Sequence, residues 1–353
     1  MSTFAFWLPF AAFGISVCLH LLALHAFPKL SLLDFPERYG LTRKRLPYPT
    51  GIISVLTFLV MYIALEPFHM ATIGIVLATC TLAIVNVIDD RRPLPFSFRL
   101  CVQLLCALVI FLTGTRIFTI TNPLAGISGI PLLSLDTWVI PSATFSDPSI
   151  VGALFTVLWL GLTMNALNWF DGVRGQVSVI SIIGFLTIGA LSLSNRVDDP
   201  HLAVLAFVLA GIAAGGLLFD FPPARVLMGD TGSMFFGLML GVLTIYAGGK
   251  VATGFLVLGV PLIDSMIVVG RRLLKGASPF CGNAVDEHLH HRLLRQGWSE
   301  RQIIALTAAL GASFGIAALF MDTLQKFLAA LVLAGAMMVL SIYSGRRYSH
   351  VSP

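Results

Sequence analysis

The sequence predicts an all-α polytopic membrane protein of about eleven transmembrane helices, N-terminus outside and C-terminus inside. Three observations carry this. The 353-residue chain is 57% hydrophobic and only 11% charged. Its mean hydropathy is +0.91, more apolar surface than a water-soluble core can hide. Apolar runs close to the ~20 residues that cross a bilayer as helix recur along it, separated by short clusters of charge, Pro and Gly. The alternating pattern of a membrane barrel is missing from these runs.

The first run, 5–27, has no basic stretch before it and no small-residue cleavage site after it, so it reads as a retained span. Further spans are expected at 50–66, 69–88, 98–119, 149–166, 176–194, 201–219, 232–247, 250–270, 302–321 and 325–344. With the N-terminus outside, inner loops and tail hold 18 of the 22 basic residues, and the outer side only Arg116, Arg196, Lys250 and Lys326. The positive-inside rule sets the orientation accordingly, and one span more or fewer would scramble the separation. The same loops explain the net charge of +5, so nucleic acid is not an expected partner. The five cysteines, Cys18, Cys80, Cys101, Cys106 and Cys281, form no CxxC pair and read as buried small hydrophobes. No repeat or soluble insertion interrupts the chain, so 1–353 is expected to be one membrane domain. The outer connection at 120–148, rich in Pro, Gly, Ser and Thr, is expected to form a small surface cap.

This topology places five polar clusters on the inner side, several at helix ends where lipid makes an unpaired charge costly. Asn86-Val-Ile-Asp89-Asp90-Arg-Arg closes the third span, with Arg99 and Gln103 following in the fourth. Adjacent carboxylates disfavour each other's ionisation, which suits one for proton transfer; alternatively Arg91 and Arg92 simply balance an interfacial pair. In Asn165-Ala-Leu-Asn168-Trp-Phe-Asp171-Gly172-Val-Arg174, steps of three drift by only about 60° on a helix, so two amides and a carboxylate share one strip. A self-capped helix end would show the same residues.

Met228-Gly-Asp230-Thr-Gly-Ser233 directly precedes a span. A carboxylate there suits a hard cation, and free backbone N–H groups could receive an anion; an ordinary N-cap is the alternative. Asp286-Glu-His288-Leu-His290-His291-Arg292 lies in the inner loop. Imidazoles and arginine beside carboxylates suit a pyrophosphate better than zinc, for which further ligands at the right spacing are missing. Lys44-Arg45-Leu-Pro47-Tyr-Pro49-Thr50-Gly51 is a proline-stiffened basic loop that could equally be a plain membrane anchor. Together the clusters supply what phosphoryl transfer needs: metal-binding carboxylate and amide, cations for phosphates, and an acid pair.

In this order, from Asp34 to Trp298, the motifs resemble the polyprenyl-phosphate N-acetylhexosamine-1-phosphate transferases, glycosyltransferase family 4. The number of spans is similar to the undecaprenyl-phosphate N-acetylglucosaminyl-1-phosphate transferase branch, related to phospho-N-acetylmuramoyl-pentapeptide transferase. The resemblance implies transfer of an N-acetylhexosamine-1-phosphate from a UDP-sugar to undecaprenyl phosphate. UMP leaves, and the lipid-linked diphosphate sugar begins a cell-envelope polysaccharide such as an O-antigen. It implies magnesium, with manganese as a substitute, bound by Asn168 and Asp230. It implies catalytic roles for Asp89, Asp90 and Asp171. Substrate contacts are implied for Lys44 or Arg45, Arg99, Asn165, Arg174, His288, His290, His291 and Arg292. The setting it implies is the bacterial cytoplasmic membrane, with the active site on the cytoplasmic face and a second copy of the chain as a candidate partner.

A covalent route makes one acid of the Asp89-Asp90 pair a nucleophile, whereas a direct route uses Asp89 to assist deprotonation of the lipid phosphate. A phosphate monoester loses its second proton near pH ~6, so direct attack is the expectation. Two departures from the family pattern stand out. Arg174 occupies a position, associated with reading uracil, where relatives usually carry Asp or Asn; arginine can donate to a ring carbonyl but cannot accept from the ring N–H. Thr50-Gly51-Ile52 replaces a pair of glycines. Outside this family, the competing readings are a polytopic transporter and a catalytically inactive member.

Overall fold

The structure is a computed structural model and describes residues 3–39, 42–142, 147–278 and 287–346. Among the described residues the order is α1 (Thr3–Lys29), α2 (Gly51–Leu65), α3 (Met70–Arg91), α4 (Phe96–Leu112), β1 (Thr119–Thr121), α5 (Ala125–Ser128), β2 (Leu132–Ser134) and α6 (Ile150–Phe170). There follow α7 (Gln176–Ser192), α8 (Pro200–Asp220), α9 (Asp230–Tyr246), α10 (Val251–Val257), α11 (Gly259–Leu274), α12 (Leu289–Arg295), α13 (Glu300–Phe320) and α14 (Thr323–Arg346). The expected outer cap is a two-stranded antiparallel hairpin in which Ile120 faces Leu133, with α5 in its connection.

Each of the predicted spans coincides with helix, with two differences. The run at 98–119 stops being helical at Leu112, and Gly114, at φ 110°, turns the chain toward β1. The run at 250–270 is broken: α10 and α11 meet at an angle of 84°. Pro261 accounts for the break, since it has no N–H to donate and its ring crowds the carbonyl four residues earlier, on Val257, where α10 ends. Among the described residues six helices are long and apolar enough to cross a membrane, and the bent pair would make a seventh. The shorter apolar helices are α2, α4, α7 and α9.

At the centre of the bundle lies α9. Every residue from Thr231 to Ile245 is buried, as expected for a helix that is apolar all round. It packs chiefly on α6 and also against α2, α3 and α7. Gly237 and Gly241, one turn apart, let the Thr163–Met164 backbone and side chains of α6 approach closely; a Cβ at either would overlap them. The peripheral α1 and α14 leave most of their surface outward. The cysteines correct the sequence expectation: Cys18 and Cys101 are exposed and Cys80 is half-buried, so only Cys106 of the described ones lies in the core, and Cys281 is outside the described residues. A cysteine is small and apolar enough to face lipid as readily as core.

Several helices begin under caps supplied by their own chain: Ser149 for α6, Asp199 for α8, and a Ser299–Gln302 capping box for α13. α9 has only Gly229 before it, at φ 77°, with no side chain to offer. Its cap comes from another helix, and that exchange builds the site.

Candidate active site

Helices α3 and α6 end, and α4 and α9 begin, at the same end of the bundle, which brings the separate motifs together. Asp90, on the last turn of α3, caps α9 from outside. Its Oδ1 accepts the Asp230 N–H at 2.9 Å, and its Oδ2 accepts the Thr231 N–H at 3.1 Å and the Thr231 hydroxyl at 2.6 Å. The Tyr48 hydroxyl donates to Oδ1 at 2.6 Å. The anion-accepting N–H groups expected at this helix start are therefore already engaged by a protein carboxylate. Four donors converge on this one carboxylate, so Asp90 braces the start of α9.

Asp89 points to different partners. Its Oδ1 accepts the Leu94 N–H at 2.6 Å and its Oδ2 meets Arg99 Nη1 at 2.7 Å. The same Nη1 lies 3.0 Å from Asp230 Oδ2, so one guanidinium bridges the first and third motifs. Asp89 is 9% exposed, whereas the Asp230 side chain is 31% exposed and open to a ligand.

The strip on α6 divides in two. Asn165 Nδ2 donates to Gln103 Oε1 at 2.6 Å and to the Gly161 carbonyl, which ties α6 to α4 rather than presenting the amide to Asp230. Asn168 borders Asp230 and donates to Ser233 Oγ at 3.2 Å, leaving its amide oxygen uncommitted. Asp171 follows the last helical residue, and its carboxylate accepts no hydrogen bond among the described residues. Burial, with like charge from Asp220, Asp230 and Asp90, pushes Asp171 well above the ordinary carboxylate range. Crowded carboxylates and an amide oxygen are the donor chemistry of a hard divalent cation. Among the described residues no three His, Cys, Asp or Glu side chains come together as a closed metal cage.

The histidine segment sits against this strip. His290 packs on Gly172 so tightly that a Cβ there would overlap the imidazole, and its ring meets Phe170 edge-on with centroids 6.3 Å apart. It is 2% exposed, and neither ring nitrogen has a hydrogen-bond partner among the described residues. Burial, reinforced by His291 and His288, holds it well below the usual imidazole value. His288 is 5% exposed and pairs through Nδ1 with Asp264 Oδ2 at 2.7 Å, while Asp264 Oδ1 accepts the Leu289 N–H at 3.0 Å. The His291 ring lies tilted against His290 with centroids 4.2 Å apart, and Arg292 Nη1 donates to the Ser341 carbonyl on α14. His290 thus packs against the strip, His288 lies beside it with its ring 6.1 Å from Trp169 while Nδ1 ties it to α11, and Arg292 is tied to α14. Asp286 lies outside the described residues.

Lys44, Arg45 and Arg174 stand apart from the Arg99 bridge. Lys44 is exposed, and Arg45 pairs with Glu37 at 3.0 Å and lies over the Phe35 ring, so neither reaches the carboxylates. It is Arg43 that pairs with Asp34, at 2.5 Å, and fixes the loop. Arg174 Nη1 lies 3.6 Å from Glu300 Oε1 at the start of α13, held by charge. The contribution of the proline loop is Tyr48 and Gly51 instead. Thr50 N–H and Gly51 N–H donate to the carbonyls of Leu227 and Met228, and Gly51 lies directly on Gly232, so the loop is laid along the third motif.

Sequence reasoning missed Tyr48, Asp264 and Asp220. Asp264 lies inside an apolar run, and a carboxylate in such a run is itself a signal of a buried partner. Asp220 Oδ2 accepts the Gly175 N–H and the Ser178 hydroxyl, both at 3.0 Å, securing the turn after Asp171.

Residues 72–248 match the family described as Glycosyl transferase family 4, and this stretch contains Asp89, Asp90, Asn168, Asp171 and Asp230. A probable undecaprenyl-phosphate N-acetylglucosaminyl 1-phosphate transferase of Bacillus subtilis is 26% identical over 315 residues, covering 86% of this chain and 81% of the relative. A decaprenyl-phosphate N-acetylglucosaminephosphotransferase of Mycobacterium tuberculosis is 29% identical over 281 residues, 71% of this chain and 65% of the relative. The undecaprenyl-phosphate alpha-N-acetylglucosaminyl 1-phosphate transferase of Escherichia coli K12 is 25% identical over 307 residues, 82% and 77% respectively. With half of its length inside the matched region and the acidic cluster at that region's heart, the chain belongs to glycosyl transferase family 4.

Proposed function

We propose that the protein transfers N-acetylglucosamine-1-phosphate, or a close N-acetylhexosamine analogue, from its UDP-sugar to undecaprenyl phosphate. The observation that carries this reading is the Arg99 bridge between Asp89 and Asp230, at 2.7 and 3.0 Å, where four helices converge on one end of the bundle. An oxygen of the lipid phosphate bonds to the sugar-bearing phosphorus, the pyrophosphate bond breaks, and UMP leaves with the bridging oxygen. The loops at that end carry most of the basic residues, so the site is read as cytoplasmic, in a bacterial inner membrane.

Asp230, Asp171 and the Asn168 amide would hold magnesium, which supplies charge neutralisation for the transferring phosphoryl group. Arg99 stands where it can balance the acid cluster before reaction and contact a phosphate during it. Asp89, fixed by Arg99 and the Leu94 N–H, is oriented to accept a proton from the acceptor phosphate, though at neutral pH little base is needed. Asp90 keeps α9, and with it Asp230, in position.

The test is to incubate purified protein with undecaprenyl phosphate, magnesium and a panel of UDP-N-acetylhexosamines. UMP and an extractable lipid-linked sugar are the expected products; folded protein that yields neither with any donor overturns the reading. Asp230→Asn should raise the magnesium concentration needed for half-maximal rate by tenfold or more, on the order of 1.4 kcal/mol. An unchanged magnesium dependence would remove Asp230 from the ligand set.

A further inference from the structure

A second charged cluster lies at the other end of the bundle. α9 leads from Asp230 to Tyr246 and α13 from Glu300 to Phe320, so Lys250, Arg196 and Lys326 gather beyond the far ends of helices that start at the candidate active site. All three line one cavity of about 340 Å³ together with Thr253 and Asp322. Lys326 is 8% exposed; its Nζ donates to Thr253 Oγ1 at 2.8 Å, and no carboxylate pairs with it among the described residues. The Lys250 side chain makes no hydrogen bond among the described residues. Arg196 caps the end of α13 through the Phe320 and Met321 carbonyls. Against these three cations the described lining offers one carboxylate, Asp322, whose Oδ1 already accepts the Gln325 N–H. A buried ammonium with donors to spare at a membrane-facing helix end is costly unless an anion joins it.

The cavity continues into an apolar groove of about 910 Å³ between α11 and α14, with Ala252, Thr323 and Lys326 bordering both. Ile263, Ile267, Phe327, Leu331 and Ala334 form its walls. Along α14 the groove runs from Lys326 to Ile342, about 24 Å at ~1.5 Å per residue and longer than the ~15 Å half-thickness of a bilayer core, so it can take the chains of one leaflet. We propose that this face binds an anionic phospholipid from the leaflet opposite the candidate active site, its phosphate on Lys250, Lys326 and Arg196 and its acyl chains in the α11–α14 groove. A free phosphate would leave the apolar walls uncovered, and a zwitterionic headgroup would bring a cation of its own toward Lys326.

Native mass spectrometry of the full chain, reconstituted with equal phosphatidylglycerol and phosphatidylcholine, tests this. Phosphatidylglycerol should be retained at least about fivefold over phosphatidylcholine, and each of Lys250→Gln and Lys326→Gln should lower its retention by about fivefold. Lys250→Gln breaks no side-chain hydrogen bond among the described residues, so it decides the matter even if Lys326→Gln fails to fold. Ala334→Trp should fill the groove and reduce retention while the headgroup cations stay in place. Equal retention of the two lipids, or unchanged retention in Lys250→Gln, overturns the proposal. Displacement of the lipid by millimolar inorganic phosphate would assign the pocket to a free anion and overturn it too.

Discussion

Asp264 fastens the histidine segment to α11, and Asp264→Ala should release it. Two bonds would go: the 2.7 Å contact with His288 Nδ1 and the 3.0 Å bond from the Leu289 N–H. A hydrogen bond to a charged group contributes about 1.5–3 kcal/mol, so the pair together comes to about 3–6 kcal/mol. Deleting one member of a buried pair costs about 3–5 kcal/mol, because the survivor is stranded. Asp264 and His288 are 3% and 5% exposed, so water has little room to replace the lost partner. Where the two routes agree, about 3–5 kcal/mol, local opening of this segment should become about 150- to 5000-fold more frequent. Hydrogen exchange, followed by mass spectrometry on a peptide covering 287–295, reads that change directly. Asp264→Asn keeps an oxygen for the Leu289 N–H and should fall between variant and wild type. Folded Asp264→Ala protein whose 287–295 peptide exchanges at the wild-type rate would refute the argument that this carboxylate holds the segment down.

Tyr48→Phe removes one donor from Asp90 and should lower stability by about 1.5–3 kcal/mol; Thr231→Val should do the same, and the double variant should show non-additive loss in a melting cycle. Gly51→Ala sets a methyl against the Gly232 backbone and should cost at least about 1–3 kcal/mol, so an unchanged melting temperature would contradict the close approach. His290, held below its ordinary 6.5 by burial, stays neutral in the native state while the unfolded chain takes up a proton below that pH. Stability should therefore be full above about 6.5 and decline as the pH falls below it, by up to ~1.4 kcal/mol per unit, and His290→Leu should flatten that slope.

Helix positions were legible because hydropathy reports the solvent, and lipid leaves little choice of backbone. The broken span was not, although Pro261 marked it: a single proline in an apolar run also fits a simple kink, and only packing decides between them. In the candidate site, the motifs identified Asp89, Asn168, Asp171 and Asp230 as residues at one end of the bundle, because charges at helix ends in a membrane are rarely idle. What adjacency concealed was the division of labour within the acid pair. Neighbours on a helix point about 100° apart, so Asp89 turns to Arg99 and Asp90 to α9. A basic loop in sequence says nothing of which cation folds inward: Arg43 does so, to Asp34, while Arg45 pairs with Glu37. Asp264 escaped because hydropathy averaging absorbs one carboxylate among many aliphatic neighbours.

The bond set of Asp90 has a consequence for how this end of the protein would meet a ligand. The positive pole of α9, worth roughly half an elementary charge, is neutralised by a residue of the chain itself, so an incoming anion finds no landing place there. Tyr48, Thr231 and the two amides are all aligned during folding, which leaves Asp230 mounted on a frame with little freedom left to lose. The entropic penalty of ordering the site is thus incurred when the helices assemble rather than at each encounter, and the field around Asp230 is already set before a ligand arrives.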